Sequence, residues 1–345
     1  MKTLPHPADF GVVIPAKSEH LHWVRGTCAS VRHFMGETPI CVLLDGDEFP
    51  DELRRTYSIH VMLAADVKNR ELRELSFGSL KAKNTVLWAS PFERFLLIDA
   101  DAVAWGDMRP HADFERFDFV LDDGNAGPEY VRRWVMDVDV VARQFPEFDA
   151  HGYAHRFVNT GAYFGTRGML DLDRYLEIVR FSHAHPGVFY GSQGIFNFMV
   201  FSAADAGTLA VGQRELQVTT GLTAREDLVR RFAVVDGRPN GVGDPAVLHW
   251  AGSAKPSVRE RDGDYFAPMT YFRLEHRRAA RPDGRPRRTD LLRLRLEDAL
   301  CTDWRGSNLR GRLGRLRRRT RQRWARLRVT LRALVPDRMV KTIRR

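Results

Sequence analysis

Residues 94–101, Arg-Phe-Leu-Leu-Ile-Asp-Ala-Asp, decide the fold of this chain. Phe95 to Ile98 are four consecutive apolar residues, with none of the polar alternation of a strand that wets one face. A run of this kind reads as a strand buried on both sides, as in parallel sheets covered by helices. It ends on two carboxylates one residue apart, Asp99 and Asp101. Both can reach a single hard cation. Oxygen ligands suit Mg2+ or Mn2+, which keep positions open for phosphate oxygens. Asp-x-Asp alone is a frequent tripeptide; after FLLI and before Ala-Val-Ala it becomes a candidate metal site at a strand end.

The neighbouring sequence repeats this layout. Residues 10–14 (FGVVI) read as a buried strand ending at Pro15, residues 21–34 as a helix, and residues 40–44 (ICVLL) as a second strand that runs into Asp45-Gly46-Asp47. Residues 58–62 make a weaker third strand, residues 80–90 have helical spacing, and residues 117–121 (FDFVL) end on Asp122-Asp123-Gly124. Further on, strands are expected near 157–164 and 246–250, with helices near 170–181 and 193–201. Strands alternating with helices predict an α/β sheet with crossover helices. In such sheets ligands bind beyond the carboxyl ends of the strands, and three of those ends here are acidic. Asp and Gly also end strands simply as turn residues, which accounts equally well for Asp45 and Asp47.

At 43% hydrophobic residues over 345 positions, the chain can bury a sizeable core, so disorder is not the expectation. The N-terminus has no apolar run of signal-peptide length, and no segment approaches a membrane span. Cys28, Cys41 and Cys301 are few and widely spaced, as in a reduced cytosolic protein without a disulfide frame. The net charge of +10 is unevenly placed. Residues 305–345 hold 16 Lys or Arg against Asp337 alone, which leaves residues 1–304 with 38 bases and 43 acids. The body is mildly acidic and the basicity belongs to a tail. Three units are expected: a catalytic domain over 1–276, a Pro/Arg-rich linker over 277–288, and a basic helical tail over 289–345.

Residues 83–101, KNTVLWASPFERFLLIDAD, resemble glycosyltransferase family 8, the group of glycogenin and bacterial lipooligosaccharide galactosyltransferases. A lysine stands sixteen residues before Asp-x-Asp in both. Three further segments follow in the family's order: Phe157-Val158-Asn159-Thr160-Gly161, Gly191-Ser192-Gln193-Gly194-Ile195-Phe196-Asn197, and His249-Trp250-Ala251-Gly252-Ser253-Ala254-Lys255-Pro256. The resemblance spans roughly residues 10–257. It implies a GT-A fold, a Rossmann-like mixed sheet with flanking helices, and transfer of a hexose with retention from a nucleoside-diphosphate sugar, UDP-linked by preference. Position by position it implies Asp99, Asp101 and His249 as ligands of Mn2+ or Mg2+, and Gly252 and Lys255 facing the diphosphate. It places Lys83 on the donor, and Asn159 and Gln193 on sugar hydroxyls. The chemistry of these residue types agrees. A neutral imidazole completes a carboxylate site for Mn2+, and a lysine supplies a point charge to the leaving group.

The sequence departs from the family at two places. Ser192 stands where the family has Asp before Gln193, and Lys17-Ser18-Glu19-His20 replaces its Asn-Asp-x-Tyr, leaving His20 to stack on the base. The start, VVIPAKSE, looks more like the inverting family 2 enzymes. Inversion would need a carboxylate base, for which Asp122, Asp123 and Asp137 are the candidates. Two other classes compete. Haloacid-dehalogenase-like phosphatases carry Asp-x-Asp as a nucleophile loop, which would make Asp99 the nucleophile, although that loop normally ends the first strand of its domain. A noncatalytic protein with a degenerate transferase fold is the third, suggested by Ser192.

In the tail, Leu309, Leu313, Leu316, Trp324, Leu327, Leu331 and Leu334 recur three and four residues apart, with Thr320 in the gap and arginines between them. This pattern predicts a basic amphipathic helix that docks on an anionic membrane surface. The expectation is a cytoplasmic chain, peripheral on the inner face of the cell membrane, acting on a glycan or lipid-linked acceptor in envelope polysaccharide or lipopolysaccharide synthesis. A protein partner and nonspecific nucleic-acid contact are the rival uses of the same charge.

Overall fold

The structure is a computed structural model describing residues 9–124, 127–241, 243–252, 255–258 and 263–306. The amphipathic pattern expected over 309–334 lies outside these residues. Arg94–Ile98 is the fourth strand in chain order, β4, and runs in the middle of a seven-stranded sheet. Its companions are β1 (Phe10–Lys17), β2 (Ile40–Asp45), β3 (His60–Met62), β6 (Phe119–Asp122), β7 (Ala162–Thr166) and β8 (Val211–Arg214). Their order is β3-β2-β1-β4-β7-β6-β8. Strands β1 to β4 pair in parallel, β7 runs antiparallel between β4 and β6, and β8 is parallel to β6. The sheet is therefore mixed, as expected.

β5 (Ala102–Trp105), β9 (Gln217–Thr219) and β12 (Ala246–His249) form a second sheet in the order β5-β12-β9, and β10 (Val234–Val235) pairs with β11 (Arg238–Pro239). The helices of the first half are α1 (Leu21–Met35), α2 (Asp51–Tyr57), α3 (Arg70–Ser76) and α4 (Val86–Ala89). Then come α5 (Gly127–Trp134), α6 (Val138–Gln144), α7 (Ala150–Tyr153), α8 (Leu172–Ala184) and α9 (Ser192–Asp205). The last three are α10 (Arg225–Arg231), α11 (Gly263–Ala279) and α12 (Asp290–Gly306).

Successive side chains of β4 enter opposite layers, which is why its sequence shows no polar alternation. Phe95 and Leu97 join a core with Val13, Leu43 and residues of α8 and α9, while Leu96 and Ile98 join Val12, Ile14, Val42 and residues of α1 and α11. All four apolar side chains of β4 are fully buried, each contributing roughly 1.5–3 kcal/mol.

Two sequence expectations are corrected. β1 does not stop at Pro15 but continues to Lys17. Val12 N–H faces Pro39 O on the β2 side, so by alternation Pro15 faces β4, where pairing has already ended at Val13 and Leu97. The missing N–H of proline therefore costs no ladder bond there. Residues 157–161 are not strand; β7 begins at Ala162, and the segment before it turns into the site. Ala102–Trp105, to which the sequence reading assigned no element, is strand β5.

The stretch expected as a linker, 277–288, begins inside α11. Beyond it, α12 docks back on α11 through Arg273 with Asp298 and Arg277 with Glu297.

Candidate active site

β4 delivers Asp99 and Asp101 on a tight turn. Asp99 N–H donates to Gly161 O (2.9 Å), Ala102 N–H donates back to Asp99 O (3.1 Å), and the chain then reverses into β5. Thr27 on α1, fully buried, sets its hydroxyl 2.8 Å from both Ala100 O and Ala102 O and shares one proton between them. The turn is thus fixed from the helix layer below.

His249 reaches this turn by register. β12 pairs antiparallel with β5 so that His249 stands opposite Ala102, and Trp250 N–H closes onto Asp101 O at 3.2 Å. Its Nε2 lies 3.7 Å from Asp99 Oδ2 and 3.6 Å from Asp101 Oδ1. Asp99, Asp101 and His249 can each present one ligand atom, all within 4.8 Å of one another. Two carboxylate oxygens and one imidazole nitrogen are a donor set for Mn2+ or Mg2+.

The other ring nitrogen is also accounted for. Gln217 Nε2 donates to Asn159 O (2.8 Å), which turns its Oε1 toward His249 Nδ1 at 3.2 Å. Nδ1 must carry a proton, so in the neutral ring the lone pair is on Nε2, facing the carboxylates. Gly161 makes room for this pair, since a β-carbon there would overlap both the imidazole and the Gln217 amide.

Two ammonium groups flank the acids. Lys83 Nζ bonds Asp99 Oδ1 (2.7 Å), and Lys255 Nζ bonds Asp101 Oδ2 and Trp250 O. Burial by itself pushes the Asp101 carboxyl up, but the hydrogen bond and charge that His249 supplies when both its nitrogens are protonated, together with the charge and hydrogen bond of Lys255, outweigh it and hold the group well below the usual carboxylate range.

Asp99, Asp101, Lys83, Lys255, Gly252, His20 and Gln193 line one cleft of about 440 Å³, and His249 closes it from behind the carboxylates. Gly252 holds a left-handed backbone (φ +73°) that glycine allows at little cost. Gln193 enters at the start of α9, its Oε1 accepting from Thr160 N (3.3 Å). The structure does not bring every expected residue there. Asn159 is buried, its Oδ1 accepting from Gly161 N (2.8 Å), and it reaches the cleft only through Gln217 and His249. Asp122 is buried under β9 and accepts from Leu216 N (3.1 Å) and Gln217 N (3.0 Å). Neither Asp122 nor Asp123 lines the cleft. Asp137 caps α6 by accepting from Val140 N.

Sequence reading missed Gln217, Thr27 and the role of Gly161. Gln217 sits 32 residues before His249, diagonal to it across a parallel strand pair, and no local motif marks it. Cys28 and Cys41 are buried free thiols, with burial pushing both up. No helix among the described residues is long and apolar enough to cross a membrane.

No protein-family model matches this chain, and no curated protein matches its sequence. Solved structures match by fold. The bifunctional glycosyltransferase WbbM, in its apo form, aligns with a TM-score of 0.52 at 11% identity, over 79% of this chain and 50% of WbbM. This chain thus spans half the length of WbbM. The galactosyltransferase LgtC, in complex with donor and acceptor sugar analogues, aligns with a TM-score of 0.50 at 15% identity, over 76% of this chain and 95% of LgtC. What is shared at these identities is architecture: the chain has the GT-A fold.

Proposed function

We propose that this chain is a metal-dependent glycosyltransferase that moves a sugar from a nucleoside-diphosphate sugar to a glycan or glycolipid acceptor. The observation that carries this is the meeting of Asp99, Asp101 and His249 Nε2 between Lys83 and Lys255, at the carboxyl end of a GT-A sheet. Asp99, Asp101 and His249 would hold Mn2+ or Mg2+, which would supply positive charge against the charge that grows as the nucleoside diphosphate departs. Lys255 and Lys83 place ammonium groups at the same charge, Gly252 lets backbone approach it, and Gln193 meets the transferred sugar. His20, which lines the same cleft, is the residue on which the base would stack in this reading. A UDP-linked hexose and retention of configuration are the expected specifics. The basic tail favours docking at an anionic membrane, beside a lipid-linked or envelope acceptor.

A panel of UDP-, GDP-, CMP- and dTDP-sugars, each with and without Mn2+, tests the reading by hydrolysis and by thermal shift. Asp101→Asn is expected to abolish the Mn2+-dependent turnover while the protein stays folded. Unchanged turnover in that variant would remove the claim. Phosphate release from monoesters through an aspartyl-phosphate on Asp99 would replace it with the phosphatase.

A further inference from the structure

We propose that Asp298, on the C-terminal helix α12, is a positioning residue for the loop that carries Lys255 and hence for the donor diphosphate; this rests on the transferase reading above. Between β12 and α11, the described residues 250–252 and 255–258 join no strand or helix. Among them, two main-chain groups are held by distant side chains. Pro256 O accepts from Trp23 Nε1 of α1 (2.9 Å), and Val258 N–H donates to Asp298 Oδ2 (2.6 Å).

Asp298 is buried, at 6% exposure, and its two oxygens face different tasks. Oδ1 accepts from Arg273 Nη1 (2.7 Å), and Arg273 is itself 1% exposed on α11. That pairing alone meets the requirement that a buried carboxylate have a cationic partner. Oδ2 is left for the Val258 amide, forty residues away in sequence, in a charge-assisted bond that no helix-packing role requires. Val258 lies three residues after Lys255, whose ammonium reaches Asp101. A slackened Val258 lets Lys255 drift, and charge placement that is off by about 1 Å forfeits much of its value. Segment 290–300 therefore belongs to the donor site as well as preceding the tail.

The experiment uses the full chain with Mn2+ alone and with UDP or GDP in the presence of Mn2+, read by titration below the melting transition. Hydrogen exchange over 255–258 is followed in parallel. Asp298→Ala is expected to bind Mn2+ alone at least as well as wild type, to bind the nucleoside diphosphate about tenfold more weakly, and to lose protection at Val258. Asp298→Asn keeps an acceptor for that amide, so it is expected to stay within about threefold of wild-type nucleotide affinity even though it melts lower. In a Lys255→Ala background the loss from Asp298→Ala should largely vanish, because both act through one ammonium group. Wild-type nucleotide affinity in Asp298→Ala, or losses that multiply in the double variant, would overturn the proposal while leaving the transferase reading intact. A wild-type chain that binds neither nucleotide would overturn both.

Discussion

Gln217 Oε1 sits 3.2 Å from His249 Nδ1, and this contact determines which face of the ring meets Asp99 and Asp101. The amide cannot turn over without breaking its bond to Asn159 O. Gln217→Ala frees the ring to rotate or change tautomer. Mn2+ affinity is expected to fall about 10–100-fold, the usual effect of removing the partner of a ligating histidine. Titration of Mn2+ against the variant and wild type checks this. An unchanged affinity would mean the ring is held by its strand alone.

Lys83 and Lys255 bond Asp99 Oδ1 and Asp101 Oδ2, the other oxygen of each carboxylate from the one that faces His249, so their charges should oppose metal binding and favour the nucleotide. Lys255→Ala, and separately Lys83→Ala, are expected to strengthen binding of Mn2+ alone by about three- to tenfold through loss of a nearby like charge. The same variants should weaken nucleoside diphosphate binding with Mn2+ present. Two titrations per variant decide it, and effects of one sign in both would refute the dual role.

Asp122 gives the pH prediction. Burial pushes its carboxyl up to about 6, against the hydrogen bonds from Gln217 and Leu216 N–H that work to lower it, and with the Asp123 charge adding to the rise. Below about pH 4 the group is protonated in both folded and unfolded chains and makes no difference. From about pH 4 to about pH 6 the unfolded chain has lost this proton and the folded chain still holds it, so folding loses about 2–3 kcal/mol from this group as pH rises. Asp122→Asn lacks that loss. Its melting temperature should gain on wild type between pH 4 and pH 7, and Mn2+-dependent hydrolysis should persist because Asp122 lies outside the cleft. Abolished hydrolysis in a folded variant would restore it as a candidate base.

A chain ending at Gly306 removes the basic segment but keeps α12 and Asp298. It is expected to lose pelleting with vesicles containing anionic lipid while binding nucleoside diphosphate like the full chain. Ending at Arg288 instead removes Asp298 as well, and should weaken the nucleotide. Equal pelleting of the Gly306 chain and the full chain would place membrane contact elsewhere.

Legibility from sequence was greatest where burial alone writes the pattern. β4 was read residue for residue because both its faces are apolar. The meeting of Asp99, Asp101 and His249 was legible too, through their motif contexts. Other features depend on pairing rather than composition. Nothing in residues 162–166 announces that β7 runs antiparallel, and Ala102–Trp105 is too short and too close to the Asp turn to stand out as a strand. The resemblance puts Asn159 on sugar hydroxyls and the need for a base makes Asp122 a candidate, but both are buried and neither lines the cleft. Hydrogen bonds to main chain and to Gln217 are what their polarity serves.

The antiparallel register of β5 against β12 also sets a timetable. Asp101 and His249 are 148 positions apart, so their meeting waits on closure of all the chain between them. Contacts of such long separation form late, because loop closure must precede any return from them. On the ribosome, a chain that has shown only its first 240 residues can have β4 in place and still lack a complete ligand set. If the chain binds the ion as proposed, its affinity should appear only once β12 has docked on β5, and a chelator added during refolding should leave the earlier steps undisturbed.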